Sequence, residues 1–211
     1  MIKAAVLGSP ISHSLSPLLH NTAYAQIGLS ASYEAIEVKA HSLAKFVDER
    51  DASWTGFSLT MPLKEEAISY AKHVDDLALR INSANTLYRK AGEWYATSTD
   101  VIGFRNALEM HKVEVKGHVV ILGAGATARA AAAACDSSQT QITVINRSLA
   151  RVQAMSDAVI ESELSFLNWD DLRVLADADL VISTAPAGVT DSIELPANTS
   201  APYFEALYKP W

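Results

Sequence analysis

The sequence predicts an α/β protein with two domains, each built around a mainly parallel sheet. Three observations support this class. A chain of 211 residues, of which 49% are hydrophobic, can form two compact cores. Short apolar segments alternate with helical patterns along the chain. A glycine-rich turn joins an apolar segment to an alanine-rich one in the second half. We place the boundary at residue 100, which gives domains 1–100 and 101–211.

The first domain is predicted from strand-like and helix-like patterns that alternate. Pro17 suits the first turn of the first helix, because that position needs no backbone N–H. The predicted strands are "IKAAVLG", "SYEAIEV", "GFSLT", "NTLYR" and "EWYAT", and the predicted helices are "SPLLHNTAYAQI", "HSLAKFVDER" and "PLKEEAISYAKHV".

The second domain is predicted to start with a linking helix, "DVIGFRNALEMHKVEV". Its strands are almost wholly apolar, which is typical of a parallel sheet covered on both faces. Cys135 ends the alanine-rich helix and is expected to fill the core rather than act as a nucleophile. The strands are "HVVILG", "ITVIN", "LSFLN" and "DLVISTA", with a short helix at "WDDLRVLA".

Composition excludes several classes of function. The formal charge is −7 and no cluster of lysine and arginine is visible, so a nucleic-acid partner is not expected. No apolar segment approaches the ~20 residues that a membrane span needs. With one cysteine and no signal-peptide pattern, we expect a cytoplasmic protein. None of the six histidines falls in a metal-ligand pattern, so no metal site is predicted. A small molecule is the expected partner.

The polar stretch "GSPISHSLSP" follows the first predicted strand. Several hydroxyls, among them those of Ser14 and Ser16, would lie between the end of a strand and the start of a helix. Such a position can bind an anionic or polyhydroxylated small molecule. The alternative is that these serines only cap the helix and form the turn.

The segment "HVVILGAGATARAAAAAC" contains a dinucleotide-binding pattern between a strand and a helix. Gly123 permits the tight turn, Gly125 lets the backbone approach a pyrophosphate, and Ala128 allows close packing of the helix. This context predicts a Rossmann-like domain, although a glycine-rich turn without a ligand is the alternative. The loop residues assigned to the cofactor are Gly123, Ala124, Gly125, Ala126, Thr127 and Ala128.

The segment "INRSLAR" indicates which dinucleotide is bound. NAD-binding domains place an acidic residue about 20 residues after the glycine loop, whereas this segment offers Asn146, Arg147, Ser148 and Arg151. Because no carboxylate repels a phosphate there, we expect NADP. For Arg151 the alternative is a solvated position on a helix face.

Thr60 and Lys64 follow a short predicted strand, and Asp100 lies at a strand-to-helix junction. A lysine beside a carboxylate can supply a proton and stabilise the alkoxide that forms when a carbonyl group is reduced. The alternatives are a solvated lysine and an aspartate that caps a helix.

The order of eight motifs resembles the shikimate dehydrogenase family over the whole chain. These are "GSPISHSLSPLLHN", "SLTMPLK", "SANT", "TSTD", "GAGATARA", "NRS", "STAPAG" and "ALYKPW". The resemblance implies an N-terminal α/β domain that binds shikimate and a Rossmann domain that binds NADP. It further implies reversible reduction of 3-dehydroshikimate in aromatic amino-acid (chorismate) biosynthesis, and it leaves open whether the protein is a homodimer.

The resemblance also assigns roles by motif. Ser14 and Ser16 would bind the substrate carboxylate, while Lys64 and Asp100 would form the catalytic pair. The remaining substrate residues would be Ser58, Thr60, Asn85 and Tyr208, and Thr184 and Pro186 of "STAPAG" would join the cofactor site.

Three departures from the family pattern stand out. Ser58 and Ser98 replace residues that are usually or often asparagine, and a shorter hydroxyl reaches less far. Family chains also continue past the "YKPW" motif, with a glutamine that contacts substrate and helices that return to the first domain. We therefore expect residues 1–211 alone to bind NADP with activity near background. The alternatives to a shikimate dehydrogenase are a truncated, catalytically impaired NADP-binding protein and a quinate/shikimate dehydrogenase relative.

Overall fold

The computed structural model describes residues 2–194 and 199–208 of the chain. It divides into two compact units, Met1–Thr99 and Asp100–Trp211. Residues 209–211 of the "YKPW" motif lie outside the described residues. Within the described residues, no helix has both the length and the apolar character needed to cross a membrane.

The first unit is a six-stranded sheet with helices, and its strands lie in the order β2-β1-β3-β5-β6-β4. Strands β2, β1 and β3 are parallel, β5 is antiparallel to both of its neighbours, and β4 is parallel to β6. The elements are β1 (Ile2–Gly8), α1 (Ser16–Gln26), β2 (Ala31–Glu37), α2 (Leu43–Asp48), β3 (Trp54–Leu59), α3 (Glu66–Tyr70), β4 (His73–Val74), α4 (Asp76–Arg80), β5 (Thr86–Lys90) and β6 (Glu93–Thr97).

The core of the first unit lies on one face of this sheet. Leu7 and Phe57 point into it from the central strands, and Leu43 from α2 and Leu63 before α3 cover them. A smaller cluster on the other face includes Tyr33, together with Ala4, Val6 and Ile11. The apolar part of β1 is therefore buried on both faces of the sheet.

The second unit is a five-stranded, fully parallel sheet in the order β11-β10-β7-β8-β9. This arrangement confirms the predicted α/β class with a Rossmann-like second domain. Its elements are α5 (Asp100–Met110), β7 (Gly117–Leu122), α6 (Ala126–Cys135), β8 (Thr140–Ile145), α7 (Val152–Ala158), β9 (Glu163–Leu167), β10 (Leu180–Ser183) and β11 (Tyr203–Glu205).

The small side chains of α6 explain its close packing. Ala128 and residues 130–133 are fully buried, because alanine lets the helix approach the sheet and its neighbour α5. Cys135 is buried as predicted, and burial raises the pKa of its thiol to about 12. A thiol that stays protonated is a poor nucleophile.

Asp136, which follows α6, connects it to the loop before β9. Burial raises the pKa of its carboxyl, but backbone N–H groups of residues 160–162 donate to the two oxygens and lower it below its usual value overall. The carboxylate thus holds together two chain segments that are distant in sequence.

Three segments differ from the sequence prediction. The helix expected at 62–74 is limited to α3, and its end forms the two-residue strand β4. The segment "WDDLRVLA" contains a 3-10 helix, Leu172–Asp177. The short elements α4 and β11 were not predicted. Elements of five residues or fewer carry too little periodicity to be recognised.

Candidate active site

The carboxyl-terminal ends of β1, β3 and β6 lie at one edge of the first sheet. Parallel strands place their carboxyl ends together, and the antiparallel β5 begins where β3 ends. The segments that leave this edge carry the predicted substrate residues. These are Ser14 and Ser16 after β1, Ser58, Thr60 and Lys64 at or after the end of β3, and Asn85 before β5.

Hydrogen bonds of backbone N–H groups fix the segment after β1, which carries Ser14 and Ser16. The N–H of Ser14 donates to the carbonyl of Ile11 at 3.0 Å. The N–H of Ser16 donates to Oγ of Ser14 at 3.3 Å. Leu15, not a serine, is the N-cap of α1, and no side chain caps the helix. Both serines remain partly exposed, and a hydroxyl oxygen that accepts one bond can still donate its proton.

The side chain of Ser58 is hydrogen-bonded to a tyrosine. The hydroxyl of Tyr33 donates to Oγ of Ser58 at 2.6 Å, although the two residues lie on different strands. Burial raises the pKa of the Tyr33 hydroxyl above its usual value, which keeps it protonated as a donor. Tyr33 was missed by the sequence analysis.

Thr60 and Lys64 lie on a turn that backbone hydrogen bonds connect to neighbouring segments of the chain. The N–H of Thr60 donates to the carbonyl of Leu7 at 2.9 Å, and the carbonyl of Lys64 accepts from the N–H of Ala84 at 2.9 Å. The second bond places the lysine backbone directly beside the segment that carries Asn85. The turn is therefore bonded to the end of β1 and to the segment that precedes β5.

Asn85 is fixed by its side chain and its backbone. Its carbonyl accepts from the N–H of Leu59 at 2.7 Å. Its Nδ2 donates to Oγ1 of Thr99 at 2.8 Å, and its Oδ1 accepts from the N–H of Thr99 at 3.2 Å. Ser98 precedes Thr99 in the chain, and its Oγ is buried without a hydrogen-bond partner among the described residues. The residue that replaces the family's asparagine thus faces inward.

Asp100 and Tyr208 belong to the second unit. Asp100 is the first residue of α5 and follows Thr99 directly in the chain, so the strand-to-helix junction predicted for it is confirmed. Tyr208 follows β11 and is exposed. Their roles toward a substrate stay predictions.

The glycine loop of the second unit has a backbone conformation that only glycine adopts readily. Gly123 has φ +105, a conformation that favours glycine. A Cβ there would lie 2.8 Å from Oγ1 of Thr184, which donates to the carbonyl of Leu122 at 2.9 Å. Thr184 and Gly123 therefore lie next to each other at the ends of β10 and β7. Pro186 follows as an exposed residue.

Arg151 lies over the same loop. Its Nη1 is 3.6 Å from the position that a Cβ of Gly125 would take. Gly125 is the N-cap of α6, whose first N–H groups have no partner within the helix. A guanidinium and a helix N-terminus therefore share one position, and both favour an anion.

The remaining predicted cofactor residues follow β8. Asn146 is buried, and its Nδ2 donates to the carbonyl of Ser148. The hydroxyl of Ser148 accepts from the N–H of Ala150 at 3.2 Å. Arg147 is exposed. Asn146 thus shapes the turn, while Arg147 is accessible to a ligand. Arg151 ends a 3-10 turn that precedes α7, and its approach to Gly125 argues against a purely solvated side chain.

Comparison with known proteins agrees with these features. A model of the shikimate dehydrogenase substrate binding domain matches residues 6–87. A model of shikimate / quinate 5-dehydrogenase matches residues 107–190. The chain belongs to the shikimate dehydrogenase family. Together the two matches cover both units.

Individual shikimate dehydrogenases support this assignment. NADP(+) shikimate dehydrogenase of Ignicoccus hospitalis is 35% identical over 193 residues, which cover 91% of this chain and 71% of the relative. The crystal structure of shikimate dehydrogenase from Mycobacterium tuberculosis is 34% identical, with a TM-score of 0.86, over 100% of this chain and 82% of that one.

A shikimate 5-dehydrogenase from Thermus thermophilus was solved in complex with NADP(H) and shikimate. It is 32% identical, with a TM-score of 0.84, over 100% of this chain and 80% of that one. That complex shows both ligands bound to a protein of the same fold.

Proposed function

We propose that this protein is an NADP-dependent shikimate dehydrogenase, which interconverts shikimate and 3-dehydroshikimate in chorismate biosynthesis. The observation that carries the proposal is the convergence at one sheet edge. Ser14, Ser58, Thr60, Lys64 and Asn85 leave the ends of neighbouring strands there and are fixed by short backbone bonds. A polyhydroxylated acid needs such an array, because each hydroxyl must find a partner when it leaves water.

The first unit is proposed as the shikimate-binding domain. Ser14 and Ser16 bind the carboxylate through their hydroxyl protons, as the motif match implies. Thr60 and Asn85 bind ring hydroxyls. Oγ of Ser58 accepts a hydrogen bond from the Tyr33 hydroxyl, and the Ser58 hydroxyl can donate another, so its shorter side chain still supplies one donor to the site.

Lys64 and Asp100 are proposed as the catalytic pair. When a carbonyl group is reduced, its oxygen gains negative charge and then a proton. Nζ of Lys64 supplies that proton and stabilises the charge before transfer, and the carboxylate of Asp100 holds the reacting hydroxyl in line. In the oxidative direction Lys64 accepts the proton.

The second unit is proposed as the NADP-binding domain, and its residues fit that cofactor. The glycine loop has no room for a Cβ atom at Gly123, and Arg151 lies beside Gly125. The backbone of 123–128 and the N-terminus of α6 would hold the pyrophosphate, and Arg147 and Arg151 the 2′-phosphate. When bound, the cofactor supplies or accepts the hydride. A cytoplasmic location and a homodimer stay predictions.

NADP⁺-dependent oxidation of shikimate tests the proposal, with quinate as the alternative substrate. The 211-residue protein is assayed alone and extended with the C-terminal segment of a family member. Lys64→Ala and Asp100→Asn should each lower kcat by about 10²–10⁴-fold, as expected for loss of acid–base and electrostatic catalysis. The exposed Lys45 and Asp177 provide matched controls, Lys45→Ala and Asp177→Asn.

The outcomes separate the alternatives. If neither form oxidises shikimate although NADP binds, the protein is an NADP-binding protein and the proposal is wrong. Faster oxidation of quinate than of shikimate would identify a quinate-using relative.

A further inference from the structure

Helix α1 carries Ser16 at its start, yet burial of apolar surface does little to hold it. None of its eleven described residues is buried, and Leu18 and Leu19 are each 66% exposed. Tyr24 is the one large apolar side chain of the helix that packs against the small cluster around Tyr33. Other interactions must therefore fix the helix, because burial is normally what does so.

A side-chain amide supplies one of these interactions. Nδ2 of Asn21 donates to the carbonyl of Tyr33, and Oδ1 accepts from the N–H of the same residue, both at 2.9 Å. Strand β2 is at the edge of the sheet, so these two backbone groups face away from β1. Asn21 binds them as a neighbouring strand would. Two bonds to one residue fix both the position and the rotation of the amide.

Tyr33 extends this attachment to the substrate side. Its ring stacks on His20 of α1, with 4.0 Å between ring centroids and 2° between planes. Its hydroxyl donates to Oγ of Ser58 at 2.6 Å. Any shift of Tyr33 relative to α1 therefore moves the hydroxyl that holds the proposed substrate-binding residue Ser58.

We infer that Asn21 is a positioning residue for substrate binding, which sets the serines after β1 relative to Ser58 through Tyr33. The inference rests on the proposed function. Asn21 contacts neither the substrate site nor the reacting atoms in this scheme, because both of its side-chain groups are used by Tyr33. Its loss should weaken shikimate binding without altering the chemical step.

The test compares substitutions at two adjacent positions of α1. Asn21→Ala removes both bonds. Asn21→Asp keeps the acceptor and loses the donor to the Tyr33 carbonyl. Thr22→Ala is the matched control, because Thr22 is an exposed neighbour on the same helix. Tyr33→Phe removes the hydroxyl and keeps the ring and the backbone bonds.

Both Asn21 variants should raise the KM for shikimate about five- to twentyfold, the scale of one or two lost neutral hydrogen bonds. The KM for NADP⁺ and kcat should stay within about twofold, since anchoring is shared by ground and transition states. In the Asn21→Ala, Tyr33→Phe double variant the KM should match that of Tyr33→Phe alone, because both changes break one chain of contacts. Lowered thermal stability with an unchanged KM for shikimate would overturn the inference.

Hydrogen exchange of the ligand-free protein gives a readout that does not depend on activity. Asn21→Ala should speed exchange of amides in residues 9–20 and leave those in β7 and β8 unchanged. Unchanged exchange in residues 9–20 would overturn the inference even if KM rises. If neither the 211-residue protein nor its extended form oxidises shikimate, the proposed function is wrong, and exchange alone then decides whether Asn21 fixes residues 9–20.

Discussion

Gly8 ends β1 where the serine segment begins, and replacing it with alanine should damage both stability and shikimate binding. A Cβ at this position would lie 2.4 Å from Cγ2 of Thr60 and 2.9 Å from the carbonyl oxygen of Met61. Carbon atoms normally approach to about 3.5–4.0 Å, so the first overlap exceeds about 1 Å. The overlap with Met61 cannot be relieved by side-chain rotation, because it involves a backbone oxygen. This oxygen also accepts from the N–H of Ser9 at 3.0 Å.

The cost of this overlap can be set against a glycine that has space. Overpacking of this kind costs about 1–3 kcal/mol, and Gly8→Ala should lower the free energy of unfolding by that amount. At Gly103, inside α5, a Cβ meets no atom within 4 Å. Gly103→Ala should stabilise the protein by roughly 0.5–1 kcal/mol, since alanine is the better helix former.

Urea denaturation measures both free energies, and shikimate kinetics report the consequence at the site. Because Thr60 must move to admit the new methyl group, we expect a KM for shikimate at least about fivefold higher in Gly8→Ala. That ratio corresponds to about 1 kcal/mol of substrate binding. A Gly8→Ala protein with wild-type stability and KM would refute the argument, and so would a Gly103→Ala protein that is destabilised to the same extent.

Three further predictions concern the second unit. Gly123→Ala should weaken NADP binding about five- to thirtyfold in equilibrium titration, because alanine strains a backbone at φ +105 by about 1–2 kcal/mol. Arg151→Ala should weaken NADP binding by about 1.5–3 kcal/mol, the scale of a hydrogen bond to a charged group, and leave NAD binding nearly unchanged; equal losses would argue against a 2′-phosphate contact. Asp136→Ala should lower the free energy of unfolding by about 1–2 kcal/mol at neutral pH. Because the folded pKa of Asp136 lies below the unfolded value of about 3.9, this loss should shrink as the pH falls below about 4, and a pH-independent loss would contradict the assignment.

The larger features were predictable because each depends on a pattern local to its own segment. The apolar strands, the alanine-rich α6 and the turn at Gly123 are read from neighbouring residues, and their bounds agree with the structure to within a few positions. Lys64 illustrates where local patterns end. The sequence placed it in the first turn of a helix, whereas it lies in the turn before α3, since the bond from Ala84 to its carbonyl comes from a segment 20 residues away.

The hydroxyl array around Ser58 could not have been predicted from spacing, because strand register creates it. Tyr33 pairs with Ala4, and Ser58 pairs with Val6 on the opposite side of β1. Ala4 and Val6 are two residues apart and point to the same face, so Tyr33 and Ser58 share that face with β1 between them. A tyrosine is long enough to reach across the small side chains of β1, and its bond to Ser58 is 2.6 Å. The short side chain of Ser58 therefore fits the Tyr33 hydroxyl that reaches it across β1. The effect of Ser58→Asn on substrate binding should depend on whether residue 33 is tyrosine or phenylalanine.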